Sequence, residues 1–325
     1  MKTILVTGGA GYKGCVLVPK LLAAGYHVWV LDTFWFGNYL PDHENLRVTQ
    51  QDVRDIDTID LTGIDCIIHL ASVANDPCGD LDPLLTWEIG ALATQQLADK
   101  AVRSGVQNFL FSSSGAVYGV RDEPEITEDL PLSPISAYAK SKVVAERVLM
   151  SYQDHMNIQI VRPATVCGYS PRTRLDVSVN LLTMAAIDQG VITVFGGNQT
   201  RPNIHIQDIT DLYLFMLENR QSIAGIYNAG FENLSIKEIA EAVAGSVNVP
   251  IQYTASSDPR SYRLNSDKLL ATGYCPKFTI ADGIQEIIAN YQSGALKNHD
   301  QNHNLRWMKK QFEQGELIHS KAAGQ

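Results

Sequence analysis

The sequence is poor in cysteine, and the few cysteines present are scattered. Five occur in 325 residues, at positions 15, 66, 78, 167 and 275. None forms a Cys-x-x-Cys pair, and an odd number of thiols does not suit a disulfide framework. The pattern gives no cysteine cage for a metal and is typical of a reducing compartment. We therefore expect a cytoplasmic protein without a bound metal.

A long hydrophobic run is also missing. The chain has no stretch of about 18 apolar residues, the length that predicts a membrane-spanning helix. The first residues, MKTILVTGGAGYKG, hold a short apolar run without a small-residue cleavage site and pass directly into glycines. This beginning indicates a first buried strand rather than a signal peptide. We expect no membrane partner.

Basic residues are outnumbered. Lysine and arginine total 26 against 35 aspartates and glutamates, so the formal net charge is −9. A dedicated nucleic-acid binder gains its affinity by neutralising phosphates. The charge balance argues against such a protein, although a small basic pocket for one phosphorylated ligand is compatible with it.

Short apolar runs alternate with helical patterns along the first 110 residues, and more loosely afterwards. The predicted strands are 3–7, 27–31, 46–50, 66–70, 108–112 and 159–162. The predicted helices are 14–24, 84–104, 136–152, 177–189, 209–218, 236–244 and 280–291. This alternation predicts an α/β fold with a doubly wound, mostly parallel sheet and helices on both faces.

Three glycines stand between the first predicted strand and the first predicted helix. Gly8 permits a tight turn, Gly11 lets the backbone approach a pyrophosphate, and Gly14 allows close packing of helix on strand. The helix start supplies free N–H groups and a positive dipole to the phosphates. Asp32, at the end of the second strand, suits the adenosine ribose hydroxyls and would repel a 2′-phosphate. The pattern predicts a Rossmann-type site for NAD, with NADP disfavoured.

Two side chains inside the glycine motif belong to the same predicted site. Tyr12 and Lys13 lie between the second and third glycines. An apolar residue at position 13 would pack the helix start, so a lysine there has two interpretations. It could widen cofactor choice from beside the pyrophosphate or ribose, or it could face solvent or screen the phosphates. The sequence leaves both open.

The glycine motif and the looser second half suggest two domains. We place a dinucleotide-binding domain at residues 1–166, to which part of 203–230 returns. Residues 167–325 form a smaller α/β substrate-binding domain with the C-terminal tail. The tail from residue 293 is polar, and Trp307 and Met308 are its possible docking residues.

Tyr138 and Lys142 lie four residues apart on a predicted helix, which puts both side chains on one face. Lowering a phenol pKa from about 10 to about 7 requires about 4 kcal/mol in favour of the phenolate. One positive charge at about 4 Å supplies roughly that much at an effective permittivity of about 20. Lys142, helped by an oxidised nicotinamide, therefore makes Tyr138 a candidate general base.

The glycine motif, Asp32 and the Tyr138/Lys142 pair occur together in one known family. The chain resembles an extended short-chain dehydrogenase/reductase of the NAD-dependent nucleotide-sugar epimerase/dehydratase type, over roughly residues 1–290. The motifs that carry the resemblance are TGGAGYKG, LD at 31–32, QDVRD at 51–55, HLAS at 69–72, SSSGAVYG at 112–119, YAKSK at 138–142, RPATVCG at 162–168 and RPNIHIQD at 201–208. The resemblance implies catalytic roles for Ser114, Tyr138 and Lys142, with Ser114 holding the substrate oxygen.

The resemblance also implies binding residues. Asp52 and Val53 would reach the adenine, and Leu70, Ala71 and Ser72 would line the nicotinamide end. The residues expected to hold the nucleotide diphosphate of the substrate are Asn180, Arg201 and Arg260. Asn75 or Asp80 would contact sugar hydroxyls. Arg172 and Arg174 would either contact the substrate or fix their loop.

The residues just before the VYG tripeptide at 117–119 help to distinguish the possible reactions of this family. Sugar 4,6-dehydratases of this family carry Thr-Asp-Glu there, whereas this chain has Ser114, Gly115 and Ala116. Glycine and alanine move no proton, so the resemblance favours an NAD-dependent nucleotide-sugar epimerase that works through a transient keto-sugar. The alternative is an NAD(P)-dependent dehydrogenase or keto-reductase with the same triad. A non-catalytic dinucleotide sensor is a third interpretation, which the intact triad disfavours.

The family also implies an assembly. Two helices from each subunit form a four-helix interface in such enzymes. Here the helices near 84–104 and 136–152 would supply that surface, so we expect a homodimer.

Overall fold

Seven parallel strands form the central sheet of the computed structural model, which describes residues 2–255, 261–315 and 317. The strands are β1 Thr3–Thr7, β2 His27–Asp32, β3 Leu46–Gln50, β4 Cys66–His69, β5 Asn108–Ser112, β6 Asn157–Pro163 and β10 Gly225–Ala229. Their spatial order is β10-β6-β5-β4-β1-β2-β3. The order reverses direction beside β1, and this is where α/β sheets open a crevice for ligands. The predicted α/β fold with a parallel sheet is confirmed.

The central strands of the sheet are apolar on both faces. Ile4, Leu5 and Val6 of β1 are all fully buried. Strands buried on both sides read as continuous hydrophobic runs, and helices must cover both faces.

Eleven helices occur in the described part of the chain. They are α1 Gly14–Ala23, α2 Asp76–Gly79, α3 Pro83–Trp87, α4 Ala93–Arg103, α5 Ala137–Met150, α6 Ser178–Gln189, α7 Ile206–Glu218, α8 Ile236–Val247, α9 Asp267–Leu270, α10 Ile280–Gln292 and α11 Asn304–Glu313. None combines the length and hydropathy that crossing a bilayer requires.

The helix predicted over 84–104 is interrupted by a wide turn. A π-helical segment at Glu88–Leu92 joins α3 to α4. Gly90 in this segment lies against α5, and a Cβ there would approach Ser141 Oγ to 2.5 Å. The missing side chain therefore lets this segment pack closely against the helix that carries Tyr138 and Lys142.

Two small sheets follow the central one. The first contains β7 Thr165–Cys167, β9 Thr200–His205 and β11 Glu232–Ser235, and the second pairs β8 Ile192–Phe195 with β12 Ile251–Thr254. α6, α8 and α10 share a separate hydrophobic core with them. The proposed domain boundary between residues 166 and 167 falls within β7 and remains a prediction. The proposal that part of 203–230 belongs to the dinucleotide-binding domain also remains a prediction.

The C-terminal tail docks onto the body through α11. Met308 is 1% exposed and joins the core beneath the sheet. The indole Nε1 of Trp307 donates a hydrogen bond to the carbonyl oxygen of Trp35 at 2.7 Å. Both predicted docking residues therefore hold the tail against the loop that follows β2.

Candidate active site

A cavity of about 510 Å³ opens at the carboxyl ends of β1, β2, β4 and β5. Most predicted site residues line its wall: Gly8, Gly11, Tyr12, Lys13, Gly14, Asp32, Asp52, Val53, Leu70, Ala71, Ser72, Asn75, Ser114, Tyr138, Lys142 and Arg201. Arg260 lies outside the described residues, and Asn180 faces elsewhere. The fold thus brings the predicted cofactor, catalytic and substrate residues together, and their roles remain predictions.

The glycine-rich turn is as tight as its sequence predicts. Gly8 has φ +71°, and a Cβ there would lie 2.6 Å from the backbone nitrogen of Ala71. A Cβ on Gly14 would overlap the carbonyl group of Gly9. Gly11 would meet only the carbonyl oxygen of Gly8, at 3.2 Å. The first and third glycines are needed for packing, and the second keeps the turn open toward the cavity.

Asp32 fixes the turn from the end of β2. Its Oδ2 accepts a hydrogen bond from the backbone N–H of Ala10 at 2.9 Å, and its Oδ1 accepts one from that of Phe34 at 2.8 Å. Burial raises the pKa of this carboxyl group. The aspartate lies on the cavity wall, and its contact with ribose hydroxyls remains a prediction.

Lys13 turns inward from the glycine-rich turn toward β5. Its Nζ donates to Ser112 Oγ and, at 3.3 Å, to the hydroxyl of Tyr213. Burial, followed by the nearby charge of Arg174, lowers the pKa of Lys13 to about 7. The amine is directed away from solvent and toward β5, not toward Asp32. A solvent-facing Lys13 is therefore wrong, and its effect on cofactor choice or on the phosphates remains a prediction.

The three consecutive serines that begin at the last residue of β5 each contact different partners. Ser112 Oγ receives hydrogen bonds from Lys13 and Tyr213, and Ser113 donates to Glu146. Ser114 Oγ accepts a hydrogen bond from the backbone N–H of Ala116 at 3.1 Å, and Ser114 lines the cavity together with Tyr138. The run therefore connects the glycine turn with the core and brings Ser114 to the cavity wall.

Glu146 belongs to a buried ion pair behind this run. Its Oε2 accepts from Arg162 Nη2 at 2.6 Å, and both side chains are nearly inaccessible. Arg162 Nη1 also donates to the hydroxyl of Tyr118 at 2.7 Å. The pair fixes Ser113, and so fixes the start of the loop that carries Ser114.

Tyr138 and Lys142 lie one turn apart on α5, as their spacing predicts. Ser136 caps this helix by accepting a hydrogen bond from the backbone N–H of Ala139 at 3.0 Å. Lys142 Nζ donates to the carbonyl oxygen of Ser112 at 2.9 Å and lies 5.8 Å from the centre of the Tyr138 ring.

The lowering of the Tyr138 pKa by Lys142 and an oxidised nicotinamide remains a prediction. Without the cofactor, burial raises the pKa of the phenol, and the nearby Ser114 hydroxyl only partly opposes this. Burial, together with the charge of Lys13, also lowers the pKa of Lys142 to about 7. The lysine is then only partly charged near neutral pH, so it exerts less pull on the phenol than a full ammonium.

Asp52 is held by an ion pair of its own. Its Oδ2 accepts from Arg54 Nη2 at 2.8 Å, and Arg54 Nη1 reaches Glu88 Oε2 at 2.7 Å. The carboxylate is fixed at the cavity wall beside Val53. Its predicted contact with the adenine remains a prediction.

Asn75 lies on the opposite wall in an unusual backbone conformation. Its φ is +78°, uncommon outside glycine, and such residues cluster at functional sites. Its Oδ1 accepts from the backbone N–H of Cys78 at 2.9 Å, and its Nδ2 donates to Asp176 Oδ2 at 3.3 Å. Asp80 is exposed and not on the wall, so Asn75 is the better-placed candidate for a sugar contact.

Asn180 is held by hydrogen bonds inside the protein, and its predicted contact with a diphosphate remains a prediction. Its side chain is fully buried, and its Oδ1 accepts from the backbone N–H of Gly168 at 3.0 Å. Its Nδ2 donates to the hydroxyl of Tyr12 at 3.0 Å and to the carbonyl of Arg174 at 2.8 Å. These bonds tie the loop after β7 to the glycine turn and direct the amide away from the cavity.

Several residues on the cavity wall or directly behind it were not singled out from the sequence. Tyr213 belongs to α7, about a hundred residues from its partner Ser112, and no local pattern relates the two. Asp176 pairs with Arg174 at 3.0 Å, which shows that Arg174 helps to fix its loop. The remaining additions to the wall include Thr165, Tyr262 and Asn304.

No group of three or more histidine, cysteine or carboxylate side chains among the described residues is arranged to hold a metal ion. His69 is a packed histidine instead. Its ring nitrogens bond to Thr7 Oγ1 at 2.6 Å and to Thr94 Oγ1 at 2.9 Å. Burial lowers the pKa of its imidazole to about 3, so the ring is neutral.

A parallel sheet with a glycine-rich first turn, and a Tyr–Lys pair across the cavity from it, defines a dinucleotide-dependent α/β enzyme. The chain belongs to the NAD dependent epimerase/dehydratase family, whose family model matches residues 4–230. A UDP-glucose 4-epimerase from Lactobacillus helveticus is 28% identical over 315 residues, which cover 86% of this chain and 94% of the relative.

Solved structures show the same relationship. A UDP-glucose 4-epimerase from Thermus thermophilus in complex with NAD is 26% identical, with a TM-score of 0.79, covering 89% of this chain and 99% of that one. A dTDP-glucose 4,6-dehydratase from Streptomyces venezuelae with NAD and TYD bound is 26% identical, with a TM-score of 0.80, covering 89% and 97%. These relatives share a fold and a cofactor but catalyse different reactions.

The cofactor of this enzyme is NAD, and the cavity fits it. Gly11 leaves the turn open, and the N-cap residue Lys13 makes no side-chain hydrogen bond to the first turn of α1. Backbone N–H groups at a helix start are natural phosphate ligands. The cavity then extends from Asp32 to Tyr138, which gives an extended dinucleotide room to place its two ends apart.

Proposed function

We propose that the chain is an NAD-dependent nucleotide-sugar epimerase that works through a transient keto-sugar. The observation that carries the proposal is that Ser114 and Tyr138 line the same cavity, with Lys142 one helical turn from Tyr138 on α5. This set can move one proton and hold one oxygen. An epimerase that oxidises and then reduces a single carbinol needs no further proton-transfer group.

Each residue has a distinct task in this mechanism. Tyr138 accepts the proton of a sugar hydroxyl, and Ser114 holds that oxygen by a hydrogen bond. Lys142 stabilises the phenolate and is itself held by the carbonyl of Ser112. NAD, when bound, would supply the hydride acceptor for oxidation of the sugar carbon and the hydride donor for its reduction. The keto-sugar turns over in the pocket so that its opposite face is reduced, and Tyr138 returns the proton to the same sugar oxygen.

The neighbourhood of Ser114 disfavours a 4,6-dehydratase. A Cβ on Gly115 would lie 3.3 Å from both the carbonyl oxygen of Pro163 and the hydroxyl of Tyr262. An acidic side chain at 115 would therefore be crowded, and Ala116 presents only a methyl group to the cavity. The wall offers no acid at the two positions where such dehydratases carry one.

The substrate class rests on the far end of the cavity and on the relatives. Arg201 of β9 and Thr165 of β7 line this end. A guanidinium suits phosphate oxygens better than an ammonium does. Related structures were solved with UDP-glucose or UDP-glucuronic acid and NAD. We therefore propose a nucleoside-diphosphate sugar, with Arg201 and Arg260 at its diphosphate.

The alternative is a dehydrogenase or keto-reductase with the same three residues, and the purified full chain distinguishes the two. It is incubated with a panel of UDP- and dTDP-sugars without added cofactor, and the sugars are followed by NMR in deuterated water. Conversion to an epimer, without net NADH and without deuterium on carbon, supports the proposal. Conversion that requires added NAD, with one NADH formed for each sugar oxidised, supports the alternative, and solvent deuterium on carbon would indicate enolisation instead.

We also propose that the enzyme is a homodimer. Leu84, Trp87 and Leu92 are 48%, 37% and 53% exposed along the segment from α3 to the start of α4. Such a row of apolar side chains is typical of an interface. Light scattering after size exclusion should give twice the mass of the chain. Leu92→Lys should shift it toward the monomer, whereas the control Leu270→Lys on α9 should not.

A further inference from the structure

Residues 299–313, called the tail strap below, follow the part of the chain that carries the family resemblance. The strap contains α11, in which Leu305 and Met308 are three residues apart and therefore share one face. Met308 is buried in an apolar cluster against which Leu305, Trp35 and Phe36 also pack. The strap is thus held against the loop that follows β2 by burial of the apolar face of its helix.

The tail strap also binds the loop between β7 and α6. The backbone N–H of Leu175 donates to the carbonyl oxygen of Asn302 at 2.7 Å. In return, Asn302 Nδ2 donates to the carbonyl oxygen of Thr173 at 2.9 Å. The backbone N–H of Asn304 donates to Asp176 Oδ2 at 3.2 Å. These hydrogen bonds join the strap to a loop that lies about 140 residues from β2 in the sequence and leads into the second hydrophobic core.

Both loops line the end of the cavity that holds Asp32. Phe36 belongs to the loop after β2 and Arg172 to the loop after β7, and both residues are on the cavity wall. The ring of Phe36 lies 4.1 Å from the guanidinium carbon of Arg172. The guanidinium is close enough to Asp32 for their charges to interact, and it donates to Asn304 Oδ1 at 2.5 Å. The strap therefore crosses from one loop to the other at the end of the cavity where adenosine is predicted to bind.

A dinucleotide that lies between two wall segments is released faster when those segments can separate. Such a separation is a local opening, and its free energy depends on the buried contacts and hydrogen bonds that must break. The strap adds an apolar face and several hydrogen bonds to the direct contact between Phe36 and Arg172. Its presence should make opening of this end rarer.

We propose that the tail strap is part of the cofactor site, where it holds the loop after β2 against the loop after β7 and so keeps NAD bound between turnovers. The strap acts on release and needs no contact of its own with the dinucleotide. This inference rests on the use of NAD and not on the epimerase reaction. For an enzyme that returns its hydride to the same substrate, such retention prevents loss of the reduced cofactor before the second step.

The test measures release of NADH from the full chain with no sugar present. Protein freed of cofactor is loaded with NADH and mixed with excess NAD, and the decay of nicotinamide fluorescence gives the dissociation rate. Trp307→Phe removes the indole donor to Trp35, and Asn302→Ala removes the amide donor to Thr173. Each should speed release about 2- to 10-fold, the effect of losing one net hydrogen bond, and the double variant should exceed either.

The matched control is Trp29→Phe, which removes the same kind of indole donor elsewhere. Trp29 lies on β2, stacks against Arg47 and donates to Thr49 Oγ1 at 3.0 Å, outside the cavity wall. The control should lose stability without a change in the rate of NADH release.

Faster release in either strap variant, with wild-type release in Trp29→Phe, supports the proposal. Wild-type release in both strap variants would overturn it and leave the strap only a structural element. Equal acceleration in Trp29→Phe would also overturn it, because general loosening of the protein would then explain the effect. If Trp307→Phe does not fold, Asn302→Ala decides alone. Failure of the proposed epimerase reaction would leave these outcomes unchanged, since the measurement contains no sugar.

Discussion

Lys13 and Lys142 donate hydrogen bonds to two different oxygens of the same residue. Lys13 Nζ binds Ser112 Oγ, and Lys142 Nζ binds the Ser112 carbonyl oxygen at 2.9 Å. Burial lowers the pKa of each amine to about 7, and the charge of Lys13 further lowers that of Lys142. The protein therefore holds two titrating amines close to its predicted catalytic tyrosine. The proposed mechanism assigns a task to only one of them, Lys142.

Replacing Lys13 should change the pH dependence of turnover. Lys142 loses its proton as the pH rises through about 7. Removing the neighbouring charge in Lys13→Met raises the Lys142 pKa, so the ammonium persists to higher pH. The alkaline limb of kcat/KM, measured between about pH 6 and pH 10, should move upward. Lys140→Met, on the exposed side of α5, should leave the profile in place. An unmoved limb in Lys13→Met would separate Lys13 from the catalytic group.

The buried pair of Glu146 and Arg162 should be sensitive to the loss of one partner. Glu146→Gln leaves the guanidinium unpaired in the core, which typically costs about 3–5 kcal/mol of unfolding free energy. The matched control is Asp99→Asn, which removes the exposed pair with Arg103. An exposed pair contributes about 0–1 kcal/mol. Urea unfolding of both variants measures the difference, and equal losses would contradict the importance of burial.

Gly14 should not tolerate a methyl group. In Gly14→Ala the new Cβ would overlap the carbonyl of Gly9, so the helix start must shift. Overpacking of this kind costs about 1–3 kcal/mol, and the shifted turn should also lose NAD affinity. Gly245→Ala in α8 meets open space and should stabilise the protein by about 0.4–1 kcal/mol. Thermal unfolding and NAD titration check both variants. Wild-type NAD affinity in Gly14→Ala would show that this packing is not needed.

Much of the sheet could be predicted because its strands are short and apolar, and because glycines mark their ends. Gly8, Gly25 and Gly105 each follow or precede a predicted strand and have positive φ. The break of the helix at 88–92 could not be predicted, since it depends on how closely Gly90 meets Ser141 of another helix. Periodicity within one segment does not contain that distance.

The candidate site also combines residues that local spacing could predict with residues whose contacts depend on distant parts of the chain. Tyr138 and Lys142 share a helix, so their spacing alone placed them together. The internal hydrogen bonds of Asn180 could not be predicted, because they depend on the loop that carries Gly168. Arg172 meets Asn304 across 132 residues, and no local pattern relates two such positions.

The most direct test of the proposed function is turnover by Tyr138→Phe. The hydroxyl is the only group removed, so turnover of the nucleotide sugar should fall by about 10²- to 10⁴-fold, the usual contribution of a general acid–base. The amount of bound NAD should stay that of the wild type, and the control Tyr253→Phe, on exposed β12, should turn over normally. Wild-type turnover in Tyr138→Phe would contradict the assignment of Tyr138 as the proton-transfer residue.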